Sequence, residues 1–319
     1  MTVIDRELSF DFPDFRVGTA EYEAGPTGCT VFDFDRGPCL CAVDERGGAV
    51  GSRELSSVSP GAEYGSIDAL LFSGGSTYGL AAADGVMAGL FERRKRSSAF
   101  MDSPSVPGAV VYDFAGRSDA TIYPNADLGR QAFDRARQNR LRVGRAGAGR
   151  NVSVGKYFGR DHAEPSGQGA AFLESPLAGI QEPLKLFAFT VLNAVGNILD
   201  EHGSILRGSV FPGGGRRPVA ERLRERLAAP TSPAQGNTTI SLVITNVALD
   251  RTELQRLAAM THTAMARAIE PFQTAFDGDV LFAVSTASLA KPKGLHVNDL
   301  GCLAGTLMQN AVRSPFRQT

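Results

Sequence analysis

The chain of 319 residues lacks the signatures of several large protein classes. Its four cysteines, Cys29, Cys39, Cys41 and Cys302, follow neither a disulfide framework nor a zinc spacing. Its four histidines are too scattered for a metal motif. A net charge of −1 at pH 7 leaves no field that would gather nucleic acid. The one basic run, Arg93-Arg94-Lys95-Arg96, ends a helix predicted over 80–91. Cations there suit the helix dipole, so a solvated cap is expected rather than a polyanion site. No uninterrupted apolar run reaches membrane length, and Met1-Thr2-Val3-Ile4-Asp5-Arg6-Glu7 has no signal-peptide core. A cytoplasmic protein with no membrane or nucleic-acid partner is the expectation.

What is present in quantity is turn-forming residues. Thirty-six glycines and 17 prolines imply many turns between short elements. Strands predicted over 40–43, 69–72, 109–114, 186–192, 240–247 and 280–284 alternate with helices, which supports a layered α/β protein. No linker is long enough to divide 1–319 into independent domains. The one shift in composition is 213–234, where an arginine-rich amphipathic helix gives way to a Pro/Gly-rich approach to Thr238.

That approach, Ala229-Pro230-Thr231-Ser232-Pro233-Ala234-Gln235-Gly236, runs into Asn237-Thr238-Thr239-Ile240 and then a β-branched, apolar strand. Cleavage between Asn237 and Thr238 would leave Thr238 with a hydroxyl and an α-amine on one residue. A free α-amine has a reference pKa of roughly 7.7–8.0, so it can accept a proton near neutrality and serve as the base for its own hydroxyl. The plain alternative is a surface loop entering a strand.

Forty residues on, Phe276-Asp277-Gly278-Asp279-Val280 sets two carboxylates around one glycine before a strand. Residues two apart in extended chain share a face, so Asp277 and Asp279 can enter one pocket and orient the amine or hydroxyl of Thr238. An ordinary turn is the alternative, and no glutamate closes a calcium loop after it. Between the two segments, Asp250-Arg251-Thr252-Glu253 reads as a capping box. Leu254, Leu257, Ala258, Thr261, Ala264, Met265 and Ala268 then repeat at helical spacing.

Gly236-Asn237-Thr238-Thr239-Ile240-Ser241, Asp277-Gly278-Asp279 and the helix between them resemble the self-cleaving N-terminal-nucleophile hydrolases that include the L-aminopeptidase/D-esterases and β-aminopeptidases. Within that family the nylon-oligomer (6-aminohexanoate-oligomer) endohydrolase branch is most similar. The resemblance extends through Phe10-Asp11-Phe12-Pro13, the run from Ala42 to Gly51, Val110-Val111-Tyr112-Asp113-Phe114, and the run from Arg145 to Lys156. It implies an αββα sandwich, autoprocessed into 1–237 and 238–319, in a homotetramer of such pairs. It also implies Thr238 as nucleophile, Asp277 and Asp279 as acidic relay, and Lys156, Asn193 and Tyr112 lining the site, with Asn193 and Lys156 polarising the scissile carbonyl. The expected substrate is a small amide or oligoamide, and no cofactor is required.

Two departures bear on substrate. The aminopeptidase branch carries a glutamate, which holds the substrate's free amine, where this chain has Val110; Gln273 stands where relatives often have His. Taken without the resemblance, Lys156 is a surface lysine, Asn193 a residue satisfying backbone at a turn, and Tyr112 a half-buried strand tyrosine. The glycine-rich run before Lys156 fails the phosphate-loop spacing, with Arg150 and Tyr157 at discriminating positions. Gly74-Gly75-Ser76 either offers helix N-terminal amides to an anion or lets a helix pack closely. Other readings of the whole are an ornithine-acetyltransferase-like acyltransferase, whose usual junction is absent here, and a homologue that folds uncut.

Overall fold

A computed structural model describes residues 3–226 and 235–317. The expected Pro/Gly approach to Thr238 therefore lies outside the described residues, except for Gln235 and Gly236. In chain order the principal elements begin with β1 (Arg16–Tyr22), β2 (Thr27–Asp33), β3 (Cys39–Glu45), β4 (Ser52–Arg53), β5 (Ser66–Ile67) and β6 (Ala69–Ser73). There follow α1 (Ala82–Arg93), β7 (Gly108–Val110), α2 (Ala126–Asp134), β8 (Gln168–Leu177) and β9 (Ile180–Asn193). The chain ends with β10 (Thr238–Val247), α3 (Arg251–Ala264), β11 (Val280–Leu289) and α4 (Val297–Arg313).

Two sheets carry the fold. One has six strands in the order β8-β9-β10-β11-β3-β5, and the other has five in the order β1-β2-β6-β7-β4. In β10, Thr-Thr-Ile-Ser-Leu-Val-Ile-Thr-Asn-Val is buried along its whole length, as a central strand covered on both faces must be. Its alternate residues divide between two cores. Ile240, Leu242 and Ile244 face the other sheet together with Phe187, Phe189 and Phe282 of their own sheet, and share one core with Phe32 and Phe72 across the interface. Val243 and Val247 face α3 and α4 through Leu254, Leu257, Leu300 and Met308. On the far side, Val31, Ala69 and Leu71 pack under α1 and α2 against Val86, Leu90 and Leu128. The layers are thus helix, sheet, sheet, helix, the αββα sandwich expected from the sequence.

Register determines which residues meet at the ends of the strands. β10 runs parallel to β11, with Ile240 opposite Val280, and α3 is the crossover that parallel pairing requires. β10 runs antiparallel to β9, with Thr238 opposite Asn193. The capping box forms as predicted, with the Asp250 side chain accepting from the Glu253 amide.

Three expectations change. The strand predicted over 109–114 stops at Val110. Beyond it, backbone carbonyls go to side chains instead of a neighbouring strand: Tyr112 to Asn193 Nδ2 and Asp113 to Asn151 Nδ2. Half of the basic run is not solvated as expected, although Lys95 and Arg96 are exposed. Arg93 donates to both oxygens of buried Asp33 at 2.8 and 2.7 Å, and Arg94 pairs with buried Asp68. At Gly74-Gly75 the partner is internal: the Gly75 amide donates to Asp113 Oδ1 at 2.7 Å, and a Cβ on Gly74 would lie 2.1 Å from Asp113 Oδ2. Burial pushes the Asp113 carboxyl up to about 6, against the hydrogen bonds from Thr27 and Gly75.

Phe187 sits among Phe10, Phe15 and Phe32, with ring centroids 4.7–6.1 Å away, and is fully buried. Phe187→Ala should cost about 3–5 kcal/mol in urea unfolding, whereas exposed Leu303→Ala should change stability by no more than about 0.5 kcal/mol. Equal effects would show that the contact between the sheets is not where the stability lies.

Candidate active site

The start of β10 lies between the end of β9 and the turn that enters β11. That arrangement gathers Asn193, Thr238, Asp277 and Asp279, while the segment after β7 brings in Tyr112 and the segment between α2 and β8 brings in Lys156. All the charged and amide groups are buried: Lys156, Asn193, Asn237, Asp277 and Asp279 are at most 1% exposed and Thr238 is 5% exposed.

In the uncut chain the Asn237 carbonyl oxygen takes two donors. Thr238 Oγ1 donates to it at 2.5 Å and the Gly278 amide at 2.8 Å. The peptide bond under question therefore has its own hydroxyl beside it and a backbone N–H polarising its oxygen, which is the donor arrangement that stabilises a developing oxyanion. Gly278 is required for space: a Cβ there would meet Thr238 Oγ1 at 2.8 Å and the Ala49 carbonyl at 2.6 Å.

The acidic turn is held by backbone on every side. Asp279 accepts from the amides of Thr239, at 2.6 Å, and Gln273, at 3.0 Å. Gln273 can offer its amide because it takes a φ of +60°, an unusual conformation for a residue other than glycine. Asp277 accepts from the Val195 amide at 3.1 Å and from both the amide and hydroxyl of Thr274, at 3.2 and 2.5 Å. The loop after β3 clamps the turn from outside. The Arg46 and Gly47 amides bond the Asp279 carbonyl and Ala49 bonds that of Asp277. A Cβ on Gly47 would lie 2.1 Å from the Asp279 nitrogen, so close approach of backbones excludes a side chain there.

Asn193 is oriented by elimination. Its Oδ1 faces donors only, Lys156 Nζ at 2.6 Å and the Ser153 amide at 3.3 Å. Its Nδ2 must then face acceptors, and finds the carbonyls of Tyr112 at 3.0 Å and Gly236 at 3.2 Å. Lys156 Nζ also reaches the Asn193 carbonyl at 2.8 Å. So in the uncut chain Lys156 positions Asn193, and Asn193 holds the carbonyl one residue before the Asn237–Thr238 bond; the Asn237 oxygen itself is served by Gly278. The Tyr112 ring lies against Gly236, where a Cβ would be 2.9 Å from it.

Electrostatics follow from burial. Desolvation holds Lys156 well below its ordinary range, and nearby Arg160 lowers it further against the pull of Asp277 and Asp279. Burial, then repulsion from Asp277, raises Asp279 well above the usual carboxylate range; burial also raises Asp277, whose hydrogen bonds and Lys156 work the other way. Burial thus shifts both carboxyls toward their neutral forms.

Sequence reasoning did not single out Gly278, Thr274, Gly47 or Arg160 in this group. Thr274, three residues before Asp277, carried a local signal in the tendency of hydroxyl side chains to bond nearby polar groups in turns. Gly47 lay in a run of family resemblance without a physical reason attached. Among the described residues no group of three or more His, Cys, Asp or Glu is placed to hold a metal ion.

Comparisons with known proteins agree with this fold. The model described as Peptidase family S58 matches residues 10–317. A 6-aminohexanoate-oligomer endohydrolase of Kocuria sp. (strain KY2) is 40% identical over 319 residues, covering 96% of this chain and 84% of that protein. An uncharacterized aminopeptidase of Mycobacterium tuberculosis is 36% identical over 261 residues, covering 79% and 71%. The solved structure of the L-aminopeptidase D-Ala-esterase/amidase of Ochrobactrum anthropi, described as a variant of the Ntn-hydrolase fold, aligns with a TM-score of 0.69 at 16% identity, covering 94% of this chain and 82% of that one.

The raised Asp279 carboxyl has a definite sign in stability. A folded-state pKa above the unfolded value of about 3.9 adds stability that is complete below pH of about 4 and is lost as pH rises through the folded value. Asn at this position does not titrate. The melting temperature of Asp279→Asn relative to the parent, both kept uncut by Thr238→Ala, should therefore become more favourable as pH rises from about 4 to about 8. A difference independent of pH would remove the case for a buried, proton-binding carboxyl pair.

Proposed function

The chain belongs to peptidase family S58, and from that premise we propose that it is an amide hydrolase that cuts itself between Asn237 and Thr238 and then uses Thr238 as nucleophile. The observation that carries the reading is the Asn237 carbonyl oxygen, held between Thr238 Oγ1 and the Gly278 amide.

In maturation the Thr238 oxygen attacks the Asn237 carbonyl carbon, and negative charge develops on the oxygen that Gly278 already serves. The C–N bond breaks, the hydroxyl proton finishes on the departing nitrogen, and that nitrogen becomes the α-amine of Thr238. Water then hydrolyses the ester to leave 1–237 and 238–319. In turnover the same hydroxyl attacks the substrate amide while the α-amine takes its proton and passes it to the leaving amine; water opens the acyl-enzyme. Asp279 holds the segment that presents Thr238, through the Thr239 amide, and Asp277 and Asp279 stabilise the ammonium form of the new amine. Departure of 235–237 frees the Asn193 Nδ2 hydrogen now given to Gly236, and that hydrogen is then free for a substrate carbonyl.

For substrate, neutral aliphatic amides such as 6-aminohexanoate oligomers are the favoured class. The curated relative named for them is 40% identical. Val110, where the aminopeptidase branch places its amine-holding glutamate, is 3% exposed and packs against Gly51, whose Cβ would fall 2.8 Å from Val110 Cγ2. Burying a substrate ammonium beside it without a partner costs several kcal/mol.

Intact mass of the purified protein should show two fragments, ending at Asn237 and beginning at Thr238. Thr238→Ala should remain one inactive chain, while Thr239→Ala should still cut. An active, full-length Thr238→Ala protein would overturn the nucleophile.

The substrate reading is tested by kcat/KM for a capped 6-aminohexanoate oligomer against that for an uncapped α-dipeptide. The oligomer should be preferred, and Val110→Glu should move the preference toward the dipeptide. A wild-type preference for the free-amine dipeptide would place the chain's activity with the aminopeptidases instead.

A further inference from the structure

A row of aromatic rings leads away from the Asn237–Thr238 bond to the surface. The Tyr112 ring, against which Gly236 packs, meets Phe114 edge-on at 5.5 Å; Phe114 meets Tyr78 at 6.4 Å; and Tyr78 meets Tyr123 at 5.6 Å. Tyr78 is 58% exposed. Two guanidinium groups lie over this row, Arg160 at 4.8 Å above Tyr112 and Arg117 at 4.8 Å above Phe114. Arg160 Nη2 also donates to the Gln235 carbonyl at 2.5 Å. Gly236 thus lies on Tyr112, and each carbonyl of 235–237 is held: Gln235 by Arg160, Gly236 by Asn193, and Asn237 by Gly278 and Thr238.

We propose that this row is the acyl-side substrate groove, that 235–237 fill it in the uncut chain as the first substrate, and that Arg160 binds the amide carbonyl one unit upstream of the bond to be cut. The proposal rests on the amide-hydrolase reading above and adds the chemistry of the acyl group. From the Gln235 carbonyl carbon to that of Asn237 is two residues, about six bonds and roughly 7 Å of extended chain. A 6-aminohexanoyl unit separates successive carbonyl carbons by about seven bonds, so its upstream carbonyl comes within reach of the same guanidinium with slight bending. The position of the Gly236 carbonyl becomes a methylene in such a chain. It lies on the Tyr112 ring and leaves the Asn193 hydrogen for the carbonyl under attack. An α-peptide keeps that carbonyl and competes for the hydrogen. The groove therefore takes an acyl group with a neutral aliphatic spacer and a second amide at its far end.

Two p-nitroanilides test this with processed protein, at rates normalised to the Thr238 N-terminus found by mass. The first carries N-acetyl-6-aminohexanoyl; the second carries nonanoyl, which replaces the upstream amide with methylenes. The ratio of their kcat/KM values should fall about tenfold from wild type to Arg160→Met, mainly through KM, and stay within about threefold of wild type in Arg160→Lys. Hydrolysis of both with a ratio unmoved in Arg160→Met overturns the groove and leaves the amidase reading standing. Hydrolysis of neither overturns that reading, and this inference with it. If Arg160→Met does not mature, inhibition of the wild type decides: N-acetyl-6-aminohexanoate should inhibit at lower concentration than 6-aminohexanoate, and the reverse order overturns the proposal.

Discussion

The pairing of β10 with its two neighbours is the constraint on which the rest depends. Its antiparallel register with β9 sets Thr238 opposite Asn193, and its parallel register with β11 brings the Asp277-Gly278-Asp279 turn level with the same residue. Three segments far apart in sequence become one hydrogen-bonded group because a slip of one residue would turn every apolar side chain of β10 to the wrong core. The packing that stabilises the sandwich is therefore also what aligns the polar end of the strand.

At that end the chain accepts an electrostatic cost. Two carboxyls, an amine and an amide lie buried together, and desolvation moves each ionisable group toward its neutral form. The cost is contained because almost every oxygen has a backbone donor in place, from Thr239, Gln273, Val195, Thr274 and Gly278. Glycines at 47 and 278 permit this by letting backbone approach where a methyl group would collide. Preorganised amides of this kind need no rearrangement when charge develops.

The same geometry links maturation to turnover in the proposed mechanism. A segment that must be cut lies along the path a substrate would follow, so the donors that hold its carbonyls are those a substrate would meet. With the Asn237–Thr238 bond intact, Thr238 is buried beneath its own acyl group.

Local chemistry was enough to single out the Asn237-Thr238 junction, the two carboxylates around Gly278, the capped α3 and the alternation of strands and helices, because each depends on residues adjacent or at fixed spacing. Resemblance to a family supplied Lys156, Asn193 and Tyr112, whose spacing alone says nothing about their meeting. Only the tertiary structure could show that Lys156 orients Asn193, that Gly278 polarises the Asn237 carbonyl, and that Arg160 reaches Gln235. It also decided where prediction erred: the strand ends at Val110 because side chains from β9 and from the segment before β8 take the carbonyls beyond it, and the arginines at the end of α1 find buried Asp33 and Asp68. Those contacts join residues 26 to 81 positions apart, and they exist only because close-packed layers bring them within hydrogen-bonding distance, which no local pattern encodes.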